Sequence, residues 1–575
     1  MKNRFLLLFP PVFYPHIPYL GLPLLQAYLA KYGIISHQVD LNISSYQYFL
    51  SENNLKTAFN KIKDLVKNNY FEMATPRKLE LTSSNAMEYI ITHSSEATDV
   101  VRGHRMSEIS NENAQRILDL CLDIISDCYF PSGLTFSGLR MSYSSKSSND
   151  ISSAIYDKKV NMFIDFYETV LPSIFQEQCP TFVGISINVP DQIIPGFTLC
   201  NAIRQLDKNI KIIIGGNIIT RLNDFFKTQN SLNQFYDCCV FGEGETSLLK
   251  IFNQGFKIDS PINKKRYFES QGSISPDEIP CPDFSDLPLG DYFDRAVVLP
   301  ILASRRCYWD KCNFCSISAG YSPRYRKAKA KKIVDDIQLL QKKHNNTFFK
   351  FVDDAASPSL LVDIADELIK RDLNIYWEAY TILEKEFANR DFCKKLYDSG
   401  CRWLYFGLET ADTQLAKSMN KRLINDPPET ILRTVNDTGI NTHIWIILGY
   451  PSDMQKRVDC TVKFIEKNQN FIDSVEANQF ALVRGAPILN KGAFEKYGIK
   501  QIVNPNEDMA LTYDFEIKDG MSQEEAKKIT KEVRRYLEKD LGYVNAVRST
   551  KLLSERFKIN AVKTKNGGKY EEVIH

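Results

Sequence analysis

Three cysteines lie close together near the middle of the chain, at Cys307, Cys312 and Cys315. Their spacing is C-x4-C-x2-C, and they directly follow an apolar run, 297–303, that is typical of a buried strand. Thiolates spaced this closely can hold one metal centre. Four-iron clusters are normally held by four cysteines, so three local cysteines with no evident fourth indicate an iron left open for a substrate or cofactor.

A zinc site is the structural alternative for these thiols. Zinc in structural sites takes four protein ligands. The nearest upstream cysteine is Cys281 and the nearest downstream histidine is His344, and neither stands at a usual zinc spacing. Buried thiols that pack as small apolar groups are the other alternative. The spacing therefore favours an iron–sulfur centre, while a zinc-stabilised binding module for RNA or protein stays open.

The cysteine loop resembles that of the radical SAM superfamily. The resemblance lies in Cys307, Cys312 and Cys315 and in the aromatic Phe314 directly before the last cysteine. The commonest family spacing is C-x3-C-x2-C, and this chain has one more residue in the first gap, as some branches do. The resemblance implies a [4Fe–4S] cluster on the three cysteines, with S-adenosylmethionine (SAM) on the fourth iron. It also implies an external one-electron reductant, such as flavodoxin or ferredoxin, and cleavage of SAM to methionine and a 5′-deoxyadenosyl radical. The catalytic residues stay unknown.

Residues 297–500 alternate between strand and helix patterns, which predicts a partial (β/α)6 barrel of the TIM type. The predicted strands are 297–303, 347–352, 374–380, 403–408, 442–448 and 474–482. The predicted helices are 329–344, 360–371, 385–399, 428–438 and 454–467. Active sites of such barrels lie at the carboxyl ends of the strands, where the cysteine loop also lies.

Other turns on this predicted face carry the pair Asp353-Asp354, Glu409, Gly449 and Pro451. Each alone could equally be a polar turn or a helix cap, but their common placement favours a site. By the radical SAM resemblance, the aspartate pair lies near SAM and Glu409 contacts its ribose or amino-acid part. The same resemblance puts Gly449 and Pro451 beside the adenine. Many relatives carry an arginine after the third strand, whereas residues 381–383 here are Thr, Ile and Leu.

Two stretches before the barrel, 1–43 and 175–255, predict a Rossmann-like domain with a parallel sheet. The predicted strands are 4–9, 36–41, 182–188, 210–214 and 238–241. The opening β-α-β unit lacks a G-x-G-x-x-G turn, so a nicotinamide or flavin dinucleotide is not indicated. Ligands of such sheets bind at the carboxyl ends of the strands.

Small and polar residues follow these strands. Their pattern resembles that of the cobalamin-binding domain that precedes the barrel in one large radical SAM subclass. The set comprises Ser186, Gln192, Gly215, Gly216, Thr220, Gly242 and Glu243. Glycine at a strand end lets a ligand approach the backbone closely, although each glycine alone is more often a turn device. The resemblance implies cobalamin and, as the leading reaction, methylation of carbon in a natural product or peptide. The D-x-H-x-x-G motif is absent, so no histidine from that motif is expected on cobalt.

Three alternatives to cobalamin-dependent methylation stay open at this point. The enzyme could catalyse a rearrangement or ring change without methylation. The N-terminal domain could be degenerate and bind no cobalamin. The protein could also be a non-catalytic cobalamin carrier or sensor.

The remaining segments predict accessory structure. Residues 44–174 predict a mainly helical insertion, and 256–296, rich in Pro, Asp and Gly, predict a linker. Residues 501–575 predict a small helical region, with a helix at 523–541 and a basic tail. Ser522 with Glu525 forms a capping-box pattern before that helix.

Composition limits the class of partner. The formal net charge is +2 over 575 residues, which gives no global case for nucleic acid or an anionic membrane. The 13 cysteines fit a reducing compartment and a metal centre, and no run reaches the ~20 apolar residues of a membrane span. The basic run 324–332 fits a solvated helix face better than a nucleic-acid patch. We expect a cytoplasmic enzyme with no membrane contact, acting on a small molecule or peptide.

Overall fold

The computed structural model describes residues 4–67, 84–105, 107–254, 267–270, 274–320, 322–422, 427–490, 492–502 and 504–543. Their contacts divide the chain into two units. The first comprises the described residues up to Glu269 together with Asp283–Val297, and the second comprises Ser270–Pro282 and the described residues from Val298 onward. The predicted linker 256–296 is therefore shared between the units, and its first part lies outside the described residues.

A parallel sheet forms the centre of the first unit. The strands of this unit are β1 (Phe5–Phe9), β2 (Ser36–Asp40), β3 (Gly133–Thr135), β4 (Gly138–Arg140), β5 (Phe182–Ser186), β6 (Lys211–Gly215), β7 (Cys238–Phe241) and β8 (Tyr267–Glu269). Six of them pair in parallel in the order β2-β1-β5-β6-β7-β8, and β3 pairs with β4 in a hairpin. Every residue of β1 is apolar and buried, as expected of a parallel strand covered on both faces.

Helices flank this sheet and fill the predicted insertion. They are α1 (Gly21–Lys31), α2 (Leu41–Phe49), α3 (Glu52–Lys67), α4 (Ser84–Val101), α5 (Asn111–Cys128), α6 (Ser148–Ala154), α7 (Phe163–Gln178), α8 (Ile193–Leu206), α9 (Asn217–Arg221), α10 (Asn223–Thr228) and α11 (Gly244–Asn253). The insertion holds α2 to α7 together with the hairpin. The serine-rich tract at 142–150 leads into α6.

Asp40 joins β2 to α2 inside the first unit. Its carboxylate accepts hydrogen bonds from the Asn42 amide at 2.9 Å and the Ile43 amide at 3.3 Å, which caps α2. The Tyr292 hydroxyl donates to the same carboxylate at 2.6 Å. Burial raises the pKa of Asp40 to about 6, despite these three donors.

A pH-dependent stability follows for Asp40. The folded-state pKa lies above the ordinary value of 3.8, so the folded protein binds a proton between roughly pH 4 and 6 that the unfolded chain does not. This contribution to stability is full below pH 4 and is lost as the pH rises through 6. We expect the free energy of unfolding of the wild type to rise, relative to Asp40→Asn, by up to ~2–3 kcal/mol from pH 7 to pH 4. Urea denaturation of metal-free protein across this range measures it, and parallel pH profiles would contradict it.

The second unit contains a sheet with simpler connectivity. Its strands are β9 (Val298–Ile301), β10 (Ser304–Arg305), β11 (Arg326–Lys327), β12 (Phe348–Phe351), β13 (Tyr376–Thr381), β14 (Cys401–Glu409), β15 (Asn441–Leu448), β16 (Ser474–Gln479), β17 (Leu482–Val483), β18 (Ile499–Ile502) and β19 (Thr512–Ile517). Six of these pair in parallel, in chain order, as β9-β12-β13-β14-β15-β16. The predicted α/β class with parallel sheets is therefore confirmed in both units.

The helices of this unit alternate with the strands. They are α12 (Ala330–His344), α13 (Pro358–Lys370), α14 (Arg390–Asp398), α15 (Thr413–Ser418), α16 (Pro428–Asp437), α17 (Gln455–Lys467), α18 (Ala493–Tyr497) and α19 (Gln523–Lys539). The Trp377 ring of β13 donates to the Ser399 carbonyl at the end of α14, which fixes one face of the sheet as the helix-covered face. Tyr405 and Gly407 of β14 lie on the other face, which we call the inner face. The ladder shifts register after Gly407, and the Glu409 carboxylate reaches the inner face beside this glycine.

The C-terminal part of the second unit contains the predicted helix as α19, together with strands that were not predicted. β17, β19 and β18 form an antiparallel sheet there, next to α19. The capping box is confirmed: the Ser522 hydroxyl accepts from the Glu525 amide, and the Glu525 carboxylate accepts from the Ser522 amide. The basic tail predicted at the end of the chain lies outside the described residues. No helix among the described residues is long and apolar enough to cross a membrane.

Candidate cluster and cofactor site

The loop that carries the three cysteines is folded tightly on itself. Arg306 and Asp310 both adopt positive φ, at 68° and 50°, and their side chains form an ion pair at 2.5 Å. The Arg306 guanidinium also donates to the Ser322 carbonyl at 3.1 Å. These contacts bend the chain between the first and second cysteines, so the extra residue of the C-x4-C gap is accommodated in a turn.

The three thiols lie near one another. Cys307, Cys312 and Cys315 are all partly exposed, and each pair interacts electrostatically. Burial, reinforced by the neighbouring thiols, raises the pKa of Cys312 to about 12 and that of Cys315 to about 11. Each thiolate makes ionisation of the other two less favourable. A cationic centre bound to all three would offset this repulsion.

Backbone amides point at two of these sulfurs. The amides of Trp309 and Asp310 donate to Cys307, and the Ile317 amide donates to Cys315. Hydrogen bonds to cluster sulfurs are one of the means by which proteins set Fe–S potentials. The donor set and its amides therefore fit an iron–sulfur cluster.

A single zinc ion and a four-iron cluster require different spacings of their thiolates. Thiolates that share one tetrahedral zinc, each at ~2.3 Å, stand only about 4 Å apart. Within the described part of the chain, no three His, Cys, Asp or Glu side chains are grouped closely enough to hold one metal ion. A four-iron cluster spreads its thiolates over separate irons and does not need that proximity.

Residues outside the loop anchor it. Asn313 donates from its backbone amide to the Met419 carbonyl and from its side chain to the Ser418 carbonyl, both at 2.8 Å. The Asn313 side chain also donates to the Tyr497 hydroxyl at 3.0 Å. Phe314 packs on the apolar cluster that includes Tyr450 and Phe480. The loop is thus fixed to the segment after α15 and to the C-terminal sheet.

The two aspartates that follow β12 lie in different environments. Asp353 is buried, and its carboxylate accepts from the Ala303 amide at 3.2 Å and from the Ser304 amide and hydroxyl. Burial raises its pKa to about 6. Asp354 is exposed and accepts from the Arg306 amide. Asp353 therefore holds the start of the cysteine loop, and only Asp354 faces solvent.

Glu409 ends β14 with a strained backbone, at φ 65°. Its carboxylate pairs with Lys421 at 3.0 Å, and both side chains are 10% exposed. Burial alone would lower the pKa of Lys421, but the charges of Glu409 and then Cys312 outweigh it and raise the pKa. Lys421 thus faces both the carboxylate and the cysteine loop. A Cβ at Gly407 would lie 2.4 Å from Glu409 Oε1 and 2.7 Å from Lys421 Nζ, so a side chain there would displace the charged ends of both residues.

The turn after β15 is also fixed by its surroundings. Gly449 has φ 80°, and a Cβ there would lie 2.3 Å from the Cβ of Ala526 in α19. Asp453 accepts from the Gly449 amide at 2.9 Å. Tyr450 is fully buried, and its hydroxyl donates to the Ser418 carbonyl at 3.2 Å. Pro451 is buried beside it. The turn therefore meets the same 418–422 segment that anchors the cysteine loop.

The segment after β13, where many relatives carry arginine, is occupied differently. Glu384 is buried and accepts from the Tyr308 hydroxyl at 2.9 Å, and it pairs with Arg422 at 2.6 Å. The arginine on this side of the site thus comes from the segment after α15. No pattern in the sequence predicted the roles of Lys421, Arg422 or Asn313.

Aromatic rings line the inner face of the sheet. Tyr380 and Trp445 are half-buried and stack with ring centroids 5.5 Å apart, next to the buried Tyr405. The Trp445 indole donates to Glu476 at 3.1 Å. Below them a buried ion pair joins Lys350 to Glu378 at 2.5 Å, and the Tyr405 hydroxyl donates to that glutamate at 2.9 Å. This face offers stacking surface and fixed polar groups, as ligand pockets usually do.

The predicted residues of the first unit gather at the carboxyl edge of its sheet. Ser186, Gly215, Gly216 and Gly242 are partly exposed there. Gly216 has φ 102°, and a Cβ would lie 2.4 Å from the Ile187 carbonyl, so only glycine fits.

Two further predicted residues hold the loops of this edge. Gln192 is fully buried, donates to the Pro10 carbonyl at 2.7 Å and accepts from the Asn188 amide. The Thr220 hydroxyl accepts from the Gly242 amide and donates to the Gly216 carbonyl, both at 3.0 Å.

Asn188 links several groups of the same edge and was not predicted. Its side chain donates to Ser186 Oγ at 2.9 Å and accepts from the Tyr19 hydroxyl and the Asn217 amide. Glu243 is buried at the start of α11. The open surface of the edge is therefore made by the serine and the glycines.

Comparison with known proteins finds a family model, a curated relative and solved structures that resemble this chain. The model of the Radical SAM superfamily matches residues 301–464. An uncharacterized methyltransferase of Pyrococcus horikoshii is 22% identical over 306 residues, which cover 50% of this chain and 64% of that protein. The match thus spans less than two thirds of the relative.

Two solved structures share the fold over most of the chain. The cobalamin-dependent SAM radical enzyme OxsB, solved with aqua-cobalamin and SAM, has a TM-score of 0.56 at 14% identity and covers 94% of this chain and 67% of its own. The radical SAM methyltransferase TsrM of Kitasatospora setae, solved with cobalamin and a [4Fe–4S] cluster, has a TM-score of 0.52 at 13% identity and covers 88% and 81%. Residues 301–464 are therefore a radical SAM domain, and the chain shares the fold of these two cobalamin-dependent enzymes.

Proposed function

We propose that the protein is a cobalamin-dependent radical SAM methyltransferase that acts on carbon in a small molecule or peptide. The observation that carries this proposal is the meeting of three interacting thiols with the buried Glu409–Lys421 pair at one edge of a parallel sheet. When bound, the cluster supplies the electron that cleaves SAM, and cobalamin supplies the methyl group.

Different residues of the second unit would hold the cluster and the separate parts of SAM. Cys307, Cys312 and Cys315 would hold the cluster. The Glu409 carboxylate can accept from ribose hydroxyls or the SAM ammonium, and the Lys421 ammonium can pair with the SAM carboxylate. The buried setting strengthens both interactions because little water competes for these groups. Gly449 and Pro451, with Phe314 nearby, would form the adenine side, and Asp353 would act by positioning the loop.

The substrate would lie against the inner face of the same sheet. Tyr380 and Trp445 present half-buried rings beside the Glu409–Lys421 pair, since Gly407 registers with Trp445 across β14 and β15. Aromatic faces favour planar or apolar groups, and Glu476 offers a fixed carboxylate. A reacting carbon held there would be close to the Glu409–Lys421 pair and shielded from water by the rings.

Cobalamin would bind at the carboxyl edge of the sheet in the first unit. Ser186 and the glycines at 215, 216 and 242 leave backbone and hydroxyl groups open to a large ligand. Gln192 and Thr220 would support this surface from below through the hydrogen bonds that hold its loops.

Anaerobic reconstitution tests the proposed function. The purified protein is supplied with iron, sulfide and hydroxocobalamin, and its iron, zinc and corrinoid contents are measured. We expect a brown protein with about four irons and one corrinoid per chain that forms 5′-deoxyadenosine from SAM after reduction with dithionite. A colourless zinc protein would support a binding module, and corrinoid retention without SAM cleavage would support a carrier. Cluster-dependent SAM cleavage by a protein that retains no corrinoid would point to a degenerate N-terminal domain.

A further inference from the structure

The segment that leads to Lys421 is held through its main-chain carbonyls. Three successive carbonyls, at 418–420, accept hydrogen bonds from the cysteine loop. The Asn313 side-chain amide donates to the first and the Asn313 main-chain amide to the second, both at 2.8 Å. The Trp309 indole donates to the third at 2.9 Å. A main chain bonded at three carbonyls in a row has little freedom to move, so these contacts fix where the Lys421 side chain begins.

The Ser418 carbonyl is also bound from a second side. The Tyr497 hydroxyl donates to it at 2.7 Å and the Tyr450 hydroxyl at 3.2 Å. The Asn313 side-chain amide, which reaches the same carbonyl, donates to the Tyr497 hydroxyl at 3.0 Å. A carbonyl oxygen has two lone pairs, so these three donors occupy it fully. The Tyr497 hydroxyl makes the shortest of the three contacts.

Tyr497 belongs to the C-terminal part of the second unit. It ends α18, it is buried, and its ring packs in the apolar cluster that includes Tyr450 and Phe480. The Ile488 amide, from the same part, donates to the Asn313 carbonyl at 3.0 Å. The C-terminal part therefore contacts the cysteine loop and the Ser418 carbonyl at once.

The position of the Ser418 carbonyl bears on Lys421, three residues later. The Lys421 main-chain amide donates to the Ala416 carbonyl at 3.0 Å, which closes the turn after α15. The Lys421 ammonium then meets the Glu409 carboxylate at 3.0 Å, with 10% of each side chain exposed. Hydrogen bonds hold over a narrow range of distance, so a small shift of Ser418 in this tight turn would weaken the contacts that the ammonium makes.

We propose that Tyr497 is a positioning residue for SAM. Its hydroxyl, acting through the Ser418 carbonyl, holds Lys421 where the ammonium meets the SAM carboxylate. The inference rests on the proposed function, which assigns that contact to Lys421. Tyr497 itself would touch neither SAM nor the cluster, so its contribution is confined to the amino-acid part of SAM. The adenine side is held separately, because Asp453 and α19 fix Gly449.

The test removes one hydroxyl and compares three ligands. Tyr497→Phe keeps the ring in the apolar cluster and is introduced into the full-length protein, reconstituted anaerobically and left oxidised so that SAM is not cleaved. Equilibrium dialysis measures the Kd of SAM, S-adenosylhomocysteine and 5′-methylthioadenosine, which lacks the amino-acid part. We expect the Kd to rise about fivefold for the first two ligands and to stay within about twofold for the third. Iron content should equal that of the wild type.

A second variant asks whether the effect passes through Lys421. In the Lys421→Met background, Tyr497→Phe should not raise the Kd of SAM any further, because the group that it positions is gone. The control is Tyr536→Phe, which removes the same atom from a hydroxyl that donates to Glu466 at 2.7 Å. This control should match the wild type with all three ligands.

Four outcomes would overturn the positioning role. These are an unchanged SAM affinity in Tyr497→Phe, an equal loss for 5′-methylthioadenosine, a loss of iron, and a further loss of SAM affinity in the Lys421→Met background as large as in the wild type. Failure of the proposed function is distinguishable, because the wild-type protein would then hold no cluster and bind no SAM.

Discussion

Replacing Cys307, Cys312 and Cys315 together by alanine is expected to remove the bound iron of the reconstituted protein and to reduce 5′-deoxyadenosine formation to background. Each thiolate would hold a different iron, so removing all three leaves the cluster without protein ligands. Burial raises the pKa of Cys312 to about 12 although the Lys421 charge opposes it, and a bound metal centre would offset the remaining cost of ionisation. Iron and sulfide analysis, with the absorbance spectrum, measures the loss.

The chain provides a matched control for the cysteine variant. Cys179 and Cys460 are exposed free thiols and Cys281 is partly exposed, as the cluster cysteines are. Replacing these three by alanine removes the same number of accessible thiols from the protein. We expect this variant to keep its iron, its spectrum and its SAM cleavage. Full iron loading in the variant that lacks Cys307, Cys312 and Cys315 would instead show that other groups bind the metal.

The sequence was informative wherever the function depends on residues close together in the chain. The cysteine loop follows a strand and Glu409 ends one, and strands with apolar periodicity can be found from sequence alone. β14 was predicted at 403–408 and spans Cys401–Glu409, and β15 was predicted at 442–448 and spans Asn441–Leu448. Their register then places Glu409 on the same edge as the cysteine loop, as the predicted barrel required.

The missed residues of the site come from a segment without a regular pattern. Lys421 and Arg422 follow the short helix α15, and only folding brings them to Glu409 and Glu384. A lone lysine after a helix carries no signal for a buried ion pair, because most lysines in that position are solvated. Asn188 was missed for the same reason, since its partners Tyr19 and Asn217 are distant in the chain.

The missed elements are those that depend most on tertiary packing. α4 lies in the segment predicted to be mainly helical, but its bounds were not predicted. It contains β-branched residues that weaken helix propensity, and it is held against α5, where Cys121 donates to the Ile90 carbonyl. β18 and β19 are short and carry charged residues on their exposed positions, so they resemble loops in sequence. Local propensity cannot supply the neighbour that makes such a segment a helix or a strand.

The Glu409–Lys421 pair should show a large coupling in stability. Lys421→Met leaves the Glu409 carboxylate unpaired at a site where its side chain is only 10% exposed. Removing one partner of a buried ion pair typically costs about 3–5 kcal/mol in the free energy of unfolding. Glu409→Gln likewise leaves the Lys421 ammonium without its carboxylate partner. We expect each single variant to lose about 3 kcal/mol in the free energy of unfolding and the double variant to recover most of it. Urea denaturation of metal-free protein provides the three values.

SAM binding should behave differently from stability in the same three variants. If the pair only supports the fold, the double variant should regain affinity for SAM along with its stability. If Glu409 and Lys421 contact SAM, as proposed, all three variants should lose at least tenfold in SAM affinity, because the charges that recognise its polar groups are gone. Lys394→Met is the control, since Lys394 pairs with Asp398 on an exposed helix face and should change neither quantity measurably. A double variant that is stable yet binds SAM poorly would show that the pair acts on the ligand, whereas a full recovery of both would assign it to the fold alone.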